Sequence, residues 1–301
     1  MHDVKNKTAA VQEPETSLRK QSQVKEVMGR LFRNKLAVAG MIIFAIYVLV
    51  AVFAPLLAPH DYSLFDLPNK NLAPGESSKY LLGTDQFGRD MLSRLIWGTR
   101  YSLGLGMGAV IFGLVFGVVL GCLAGFFGGW VEELIMRLGD LMQSIPGILL
   151  AVIISMALGT GFFETIVALG IGRITMNSRM LRAQFLSQRK LEYVEAAEAT
   201  NCSKGRLMFV HILPNTISPL IVTSTMGVGG TIMMGASLSF IGLGILEPTP
   251  EWGAMISGAR NVMRYHPYQV LLPGLVMALF VLALNLFGDG LRDALDPKLK
   301  D

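Results

Sequence analysis

Charged residues are scarce in this sequence. They make up 16% of its 301 residues, whereas a soluble domain carries about a quarter. Hydrophobic residues account for 52%, and the mean hydropathy of the chain is +0.50. A soluble globular domain is therefore excluded, and the composition is typical of a protein that crosses a membrane several times.

Cysteine and histidine are also rare. The two cysteines, Cys122 in an apolar run and Cys202 in a polar stretch, do not suggest a disulfide framework. The four histidines follow no metal-ligand spacing, so we expect no metal site; they are His2, His60, His211 and His266. The net charge of +4 comes with no basic stripe interleaved with aromatic residues, so nucleic acid is not expected as a partner.

Motifs of catalysis are missing as well. The sequence has no GxxxxGK[ST] loop for a nucleotide, no HExxH pair for zinc, and no nucleophile beside a base. We therefore expect no catalytic residues, no cofactor bound by this chain and no enzyme activity of its own.

What the sequence does contain is a set of long apolar segments. A hydrocarbon core of about 30 Å needs about 20 helical residues, and six segments meet that length. They predict an all-α membrane protein with six transmembrane helices, at about 36–58, 101–127, 131–158, 163–186, 216–243 and 268–287.

The distribution of basic residues predicts the orientation of these spans. Basic residues collect in the tail at 1–35, part of which is expected to form a surface helix, and this favours a cytoplasmic N-terminus. Six spans then leave the tail at 291–301 in the cytoplasm too. The membrane domain would be 36–290, with an external segment at 59–100 and a cytoplasmic loop at 187–215.

The polar residues before the second span predict a helix of their own over Leu82–Arg100. Asp85 is placed to cap its start, and the residues that follow separate apolar side chains from Arg89, Asp90 and Arg94. Such a helix would lie along the membrane surface.

The second span carries glycine at every fourth residue, at Gly113, Gly117, Gly121 and Gly125. This row lies along one face and lets another helix approach closely. We expect that helix to belong to the same chain; a second subunit is the alternative.

Charges inside the third and fourth spans need partners. Arg137 and Asp140 are three residues apart and are expected to pair. Arg173 lies well inside the bilayer, where a charge faces a wet cavity or a partner rather than lipid. Two interpretations stay open: Arg173 lines a translocation path, or it pairs with Asp140 or a glutamate of the third span.

The longest polar interruption in the second half is Leu191–Pro214. It predicts a helix from Glu192 to about Thr200, a break at Asn201–Ser203, and a second short helix from Lys204 that ends before Pro214. The first helix has a small face and an acidic face and no apolar stripe, so it suits docking against another protein.

Four motifs now support a family resemblance. The first is GTDQFGRD at 83–90, and the second is Glu195-Ala196-Ala197 followed by HILP at 211–214. The third is the segment Ala236–Ile256, which Pro248 and Pro250 break and in which a helix is expected to restart near Glu251; the fourth is the ending at 285–297. Together they resemble the C-type inner-membrane permeases of ABC importers for dipeptides, oligopeptides and nickel, and the resemblance covers nearly all of residues 18–300.

The resemblance implies a type I ABC importer permease fold in a bacterial or archaeal cell membrane. Its implied partners are a second, homologous permease, two cytoplasmic ATPase subunits that bind ATP and magnesium, an extracytoplasmic substrate-binding protein and the lipid bilayer. The polar loop would be the coupling helix that contacts an ATPase.

The family motif places the coupling site on seven residues: Glu192, Glu195, Ala196, Ala197, Asn201, Leu213 and Pro214. The family usually has glycine where this chain has Asn201. Because asparagine is the next most tolerant residue of left-handed backbone, we expect a positive φ there.

Two further sets complete the expected sites. Residues of the fourth and fifth spans are candidates for the translocation path: Arg173, Met233, Met234 and Ser237. Residues of the two external motifs are candidates for contact with the binding protein: Asp85, Arg89, Asp90, Glu251 and Trp252.

The expected function is that of a permease subunit that imports di- or oligopeptides. Import of nickel, metal chelates or glutathione by the same machinery is the alternative. An ion-coupled secondary transporter is a more distant one, since buried charges are typical of such carriers but the sequence has no detectable internal repeat.

Overall fold

A computed structural model describes residues 23–295, and within this range every regular element is helical. Residues 1–22 and 296–301, which include much of both predicted tails, lie outside it. The helices are α1 (Gln23–Arg33), α2 (Lys35–Val52), α3 (Ala54–Leu57), α4 (Met91–Phe127), α5 (Gly129–Gln143), α6 (Gly147–Leu158), α7 (Phe162–Gln188), α8 (Glu192–Ala199), α9 (Lys204–Arg206), α10 (Leu213–Thr216), α11 (Ser218–Phe240), α12 (Trp252–Ala259) and α13 (Tyr268–Leu295). A 3₁₀ turn at Leu67–Asn69 and a π-helical turn at Leu207–Ile212 complete the regular structure.

Four of these helices, α2, α4, α11 and α13, are long and apolar enough to cross a membrane. The pair α5 and α6 would count as a fifth span, although it bends by 94° where Pro146 separates the two helices. Helix α7 has 27 residues, but its arginines lower its hydropathy and it is not among the candidates. The described chain thus contains four or five candidate spans.

The separate helix predicted over Leu82–Arg100 is wrong. One continuous helix, α4, begins at Met91, and Asp90 rather than Asp85 caps it by accepting hydrogen bonds from the N–H groups of Leu92 and Ser93. Asp85 lies in a tight loop instead, where its Oδ1 accepts from the N–H groups of Phe87 and Arg89. Aspartate is a favoured N-cap residue, and both Asp85 and Asp90 precede apolar residues. The sequence alone therefore did not show which of the two caps the helix.

Helices α4 and α7 form the most extensive helix pair, and the glycine row lies between them. A Cβ added at each glycine would stand 2.5–2.8 Å from the Cβ of Arg173, Asn177, Leu181 and Phe185, taken in the same order as the glycines. The prediction of packing within the chain is confirmed. Because partners advance together by four residues, α4 and α7 run in the same direction.

The remaining long helices pack antiparallel to their neighbours. Tyr47 of α2 donates to the carbonyl oxygen of Val276 in α13 at 2.7 Å, while Gly40, earlier in α2, faces Ala283, later in α13. Likewise Gly106 of α4 faces Ile232 of α11, whereas Gly113, later in α4, packs against Arg173, which bonds to Gly227, earlier in α11. Helix α11 therefore runs opposite to α4, and α13 runs opposite to α2.

The charge pair expected between Arg137 and Asp140 is also wrong. Arg137 is 3.6 Å from Glu133, and Asp140 pairs with Arg179 of α7. A second ion pair joins Glu132 of α5 to Arg182. These two ion pairs join α5 to α7. Contacts between residues so far apart in the sequence cannot be predicted from the spacing of charges along one helix.

Candidate functional site

The polar loop contains helix α8, which is attached to the helical bundle on one side. Val194 is 2% exposed and packs in an apolar cluster with Leu181 and Phe185 of α7, together with Leu207 and Ile212 from the second half of the loop. Tyr193 and Ala197 pack against the same cluster. The sequence analysis missed Val194 as an anchor, although its i, i+3 spacing with Ala197 is a helical signal.

The opposite side of α8 is exposed and forms a surface of glutamate and alanine side chains. Glu192, Glu195 and Ala196 are exposed, as are Glu198 and Ala199, whereas Ala197 is half-buried. Asn201 is exposed as well. The structure thus brings most of the predicted coupling residues to one surface.

The end of α8 has the geometry of a Schellman motif. The N–H of Asn201 donates to the carbonyl oxygen of Glu198 at 2.9 Å, and the N–H of Cys202 donates to that of Ala197 at 3.1 Å. Asn201 has a φ of 56°. The predicted positive φ is confirmed, and the motif closes the helix abruptly so that the chain can turn back to the bundle.

The second half of the loop differs from the prediction at its end. The helix that begins at Lys204, where Ser203 accepts from the N–H of Arg206, continues through the π turn into α10. Pro214 lies two residues after the π turn within this continuous helical segment, where the widened turn accommodates a residue that has no N–H to donate. Leu213 is half-buried against the cluster and Pro214 is exposed.

Arg173 lies on α7 and is bonded to α11. Its Nε donates to Thr231 Oγ1 at 2.8 Å, and its Nη2 donates to the carbonyl oxygen of Gly227 at 2.5 Å. Asp140 and Glu132 are paired with other arginines. The alternative in which Arg173 forms an ion pair with the third span is therefore wrong within the described chain.

A cavity of about 370 Å³ lies between α6, α7 and α11, and Arg173 lines it. Met234 lines the same cavity, so the structure brings two of the four predicted path residues together. Met233 and Ser237 are exposed on another face of α11, where the Ser237 hydroxyl donates to the carbonyl oxygen of Met233.

The predicted external contact residues are all buried. Asp85, Arg89 and Asp90 are 2–6% exposed, and Glu251 and Trp252 are 0% exposed. Arg89 donates to Asp85 at 2.5 Å and to Glu247 at 2.8 Å. In this conformation these side chains are unavailable to a partner, and they fasten the segment before α4 to the chain between α11 and α12.

Glu251 caps α12, which begins where the sequence predicts a helix to restart. Its carboxylate accepts from the N–H groups of Gly253 and Ala254 and from the hydroxyls of Ser102 and Ser239. Burial raises the pKa of Glu251, and these hydrogen bonds oppose that rise. The adjacent Trp252 packs edge-on against Tyr47 and Phe280.

Sequence reasoning missed several residues that the structure brings to these sites. Glu247 is an exposed residue, and its Oε1 lies 3.5 Å from Nη2 of the buried Arg94 and also accepts a hydrogen bond from Arg89. Thr231 and Gly227 position Arg173. A charged residue directly before Pro248 was the available signal for Glu247, whereas neither Thr231 nor Gly227 carries a signal without the fold.

Among the residues that the structure describes, no group of three or more histidine, cysteine or carboxylate side chains could hold a metal ion.

Comparison with protein families gives two matches. Residues 117–301 match the family described as binding-protein-dependent transport system inner membrane component. Residues 22–74 match the N-terminal transmembrane domain of oligopeptide transport permease C.

Three relatives show how far the likeness extends along the chain. The dipeptide transport system permease protein DppC of Alkalihalophilus pseudofirmus is 42% identical over 95% of this chain and 94% of its own length. The di/tripeptide transport system permease protein DppC of Pseudomonas aeruginosa is 43% identical over 93% and 94%. The glutathione transport system permease protein GsiD of Pectobacterium atrosepticum is 41% identical over 92% and 91%.

Among solved structures, a chain of the MetNI methionine ABC transporter in inward-facing conformations has a similar fold. Its TM-score is 0.54 at 19% identity, and the match covers 68% of this chain and 98% of that one. At this identity the likeness concerns the fold alone.

Proposed function

The chain belongs to the binding-protein-dependent transport system inner membrane components and is a C-type permease subunit of an ABC importer, and from that premise we propose that it imports di- and oligopeptides. The observation that carries the substrate class is the 42–43% identity, over more than nine-tenths of the chain, to relatives named for dipeptides and di/tripeptides. Glutathione, named for another relative, is itself a tripeptide and is the second candidate.

We propose six spans with both termini in the cytoplasm, in which α7 is the fourth span. The direction of packing supports this proposal: α4 and α7 run the same way, whereas α2 and α13, and likewise α4 and α11, run oppositely. In a six-span chain the second and fourth spans must be parallel, and the first and sixth must be antiparallel. Arg173 within α7 is tolerated because α11 accepts its hydrogen bonds.

We propose that α8 is the coupling helix, with Glu192, Glu195, Ala196, Ala197, Asn201, Leu213 and Pro214 forming or shaping the contact with a cytoplasmic ATPase. The exposed acidic side of α8 would meet the ATPase, and Val194 on the buried side would pass the movement to Leu181 and Phe185. Leu181 and Phe185 lie on the same helix as Arg173, about 12 Å and about 18 Å away from it along the helix axis.

The rest of the complex follows from the same proposal. Two ATPase subunits would bind ATP and magnesium, a second homologous permease would form the other half of the path, and a binding protein would deliver the peptide. Arg173 and Met234 would line the path within this subunit, and Met233 and Ser237 would face it from the exposed side of α11. Closure of the ATPase dimer would move the two coupling helices together and switch the bundle between two states.

Initial rates of labelled dipeptide uptake into proteoliposomes that contain the whole complex test this function. We expect uptake to require ATP, to stop with vanadate and to persist with an uncoupler. A parallel series with glutathione and a nickel chelate assigns the substrate. Uptake that an uncoupler abolishes and vanadate spares would instead identify an ion-coupled carrier.

A further inference from the structure

The cavity between α6, α7 and α11 contains a single charged side chain. Arg173 and Thr231 are its polar residues, and the remainder of its lining consists of glycine, alanine, leucine and methionine side chains. Within the described chain no carboxylate lies within ion-pair distance of Arg173, in contrast to Arg179 and Arg182 on the same helix. The cavity therefore holds a cation whose charge the described chain does not neutralise.

The guanidinium is held in one orientation. Nε donates to Thr231 Oγ1 and Nη2 donates to the carbonyl oxygen of Gly227, while the Thr231 hydroxyl donates to that same carbonyl at 2.8 Å. These bonds use one edge of the guanidinium, formed by Nε and Nη2. The edge formed by Nη1 and Nη2 lies against Gly227, and Nη1 donates no hydrogen bond to the described chain. The outer N–H of Nη1 is therefore the donor that remains for a carboxylate, to which a charged guanidinium bonds strongly.

Glycine at position 227 is required for this arrangement. A Cβ added at Gly227 would collide with Nη1 and Nη2 of Arg173. On the other side, Gly113 of α4 receives the Cβ of Arg173. The side chain is thus enclosed between two glycines, which leaves the outer N–H of Nη1 as its one unbonded donor away from Gly227.

We propose that Nη1 of Arg173 binds a carboxylate of the peptide during its passage through this subunit. This inference rests on the proposed peptide transport. A half-buried cation that no carboxylate neutralises, in largely apolar surroundings, attracts an anion because less water competes with it than at the surface. The carboxylate could be that of the C-terminus or that of an acidic side chain, since both present the same two oxygens.

The test compares transport rates of matched peptides by one preparation of the complex. Ala-Ala and Ala-Ala-amide differ in the C-terminal carboxylate, and Ala-Glu-amide and Ala-Gln-amide differ in the side-chain carboxylate. The ratio within each pair is independent of how much protein has folded. The binding protein is the same throughout, so a ratio that changes with a permease variant belongs to the permease.

We expect Arg173→Gln to lower the preference for the carboxylate form by about tenfold, as loss of a charge-assisted hydrogen bond predicts. Arg173→Lys keeps the charge without the planar guanidinium and should give an intermediate loss. Gly227→Ala should also lower the preference, because it displaces the guanidinium. Arg137→Gln removes an equal charge at an exposed position, and Gly274→Ala adds a methyl to α13, outside the cavity, where nothing lies within 4 Å; both should keep the wild-type ratios.

A change confined to the first pair assigns the C-terminal carboxylate, and a change confined to the second assigns the side chain. If all four peptides are transported and neither Arg173→Gln nor Gly227→Ala changes the ratios, the proposed role of Arg173 is wrong, while the proposed peptide transport stands. Failure of the wild-type complex to transport any of them would overturn the proposed substrate class and this inference with it.

Discussion

Asn201 and Glu198 are joined by a backbone hydrogen bond of 2.9 Å in which Asn201, at a φ of 56°, donates to the Glu198 carbonyl. This bond ends α8 and directs the chain back toward the apolar cluster beneath it. The left-handed residue therefore determines how the acidic side of α8 is presented, and it links a local backbone conformation to the proposed contact with an ATPase.

Substitution of Asn201 tests that conformation. Asn201→Gly should keep or slightly raise stability and leave peptide-stimulated ATP hydrolysis unchanged, because glycine adopts a positive φ freely. Asn201→Val should cost about 1–2 kcal/mol in the left-handed region and weaken the coupling of hydrolysis to uptake. The number of peptides transported per ATP measures the effect, and equal ratios for the two variants would contradict it.

Substitution of Val194 tests the connection between α8 and the bundle. Val194→Ala removes buried apolar volume from the cluster around Leu181 and Phe185 and should cost roughly 1–3 kcal/mol. We expect ATP hydrolysis to continue while uptake falls. Val52→Ala, the same change at an exposed position of α2, is the control and should behave as wild type. A Val194→Ala complex with full uptake per ATP would exclude the cluster as the connection.

The glycine row predicts where α4 tolerates no side chain. Gly117→Ala would place its methyl 2.5 Å from the Cβ of Asn177, and we expect a loss of about 1–3 kcal/mol from overpacking. Gly274→Ala, in α13 with nothing within 4 Å, should be neutral or stabilising by about 0.5–1 kcal/mol. Thermal unfolding in detergent measures both, and similar melting temperatures would contradict this packing.

Glu251 predicts a dependence of stability on pH. Its pKa is raised in the folded state, mainly by burial, so the folded protein holds this proton more tightly than the unfolded chain does. The stabilising contribution is complete below the unfolded pKa of about 4.3 and is lost as the pH rises through the folded pKa. As the pH rises from about 4.3 through the folded pKa, the melting temperature of the wild type should therefore fall relative to that of Glu251→Gln. A difference that stays constant with pH would contradict the shift.

Several features followed from the sequence because they depend on neighbouring residues. The helix at Glu192, the positive φ at Asn201, the close-packed glycine row and the helix restart after Pro250 all come from local backbone preferences. The family resemblance likewise rests on contiguous motifs.

Other features depend on contacts between distant residues, and there the sequence was insufficient. Asp140 pairs with Arg179, 39 residues away, rather than with Arg137 one turn along its helix. The residues of the external motifs were candidates for contact with a binding protein. Arg89 is instead buried, and its guanidinium pairs with Asp85 and Glu247 within the chain. The predicted helix ended too early at Pro214, because the π turn before it lets the helical segment continue through the proline.

The central claim is that α8 faces the cytoplasm and contacts an ATPase subunit, and site-specific cross-linking in intact membranes tests it most directly. With Cys202→Ser as background, Ala196→Cys should cross-link to the ATPase and resist an impermeant thiol reagent added from outside. Ser78→Cys, in the segment at 59–100, should react with that reagent and capture no ATPase. Labelling of Ala196→Cys from outside, or failure to capture the ATPase in an assembled complex, would contradict the account.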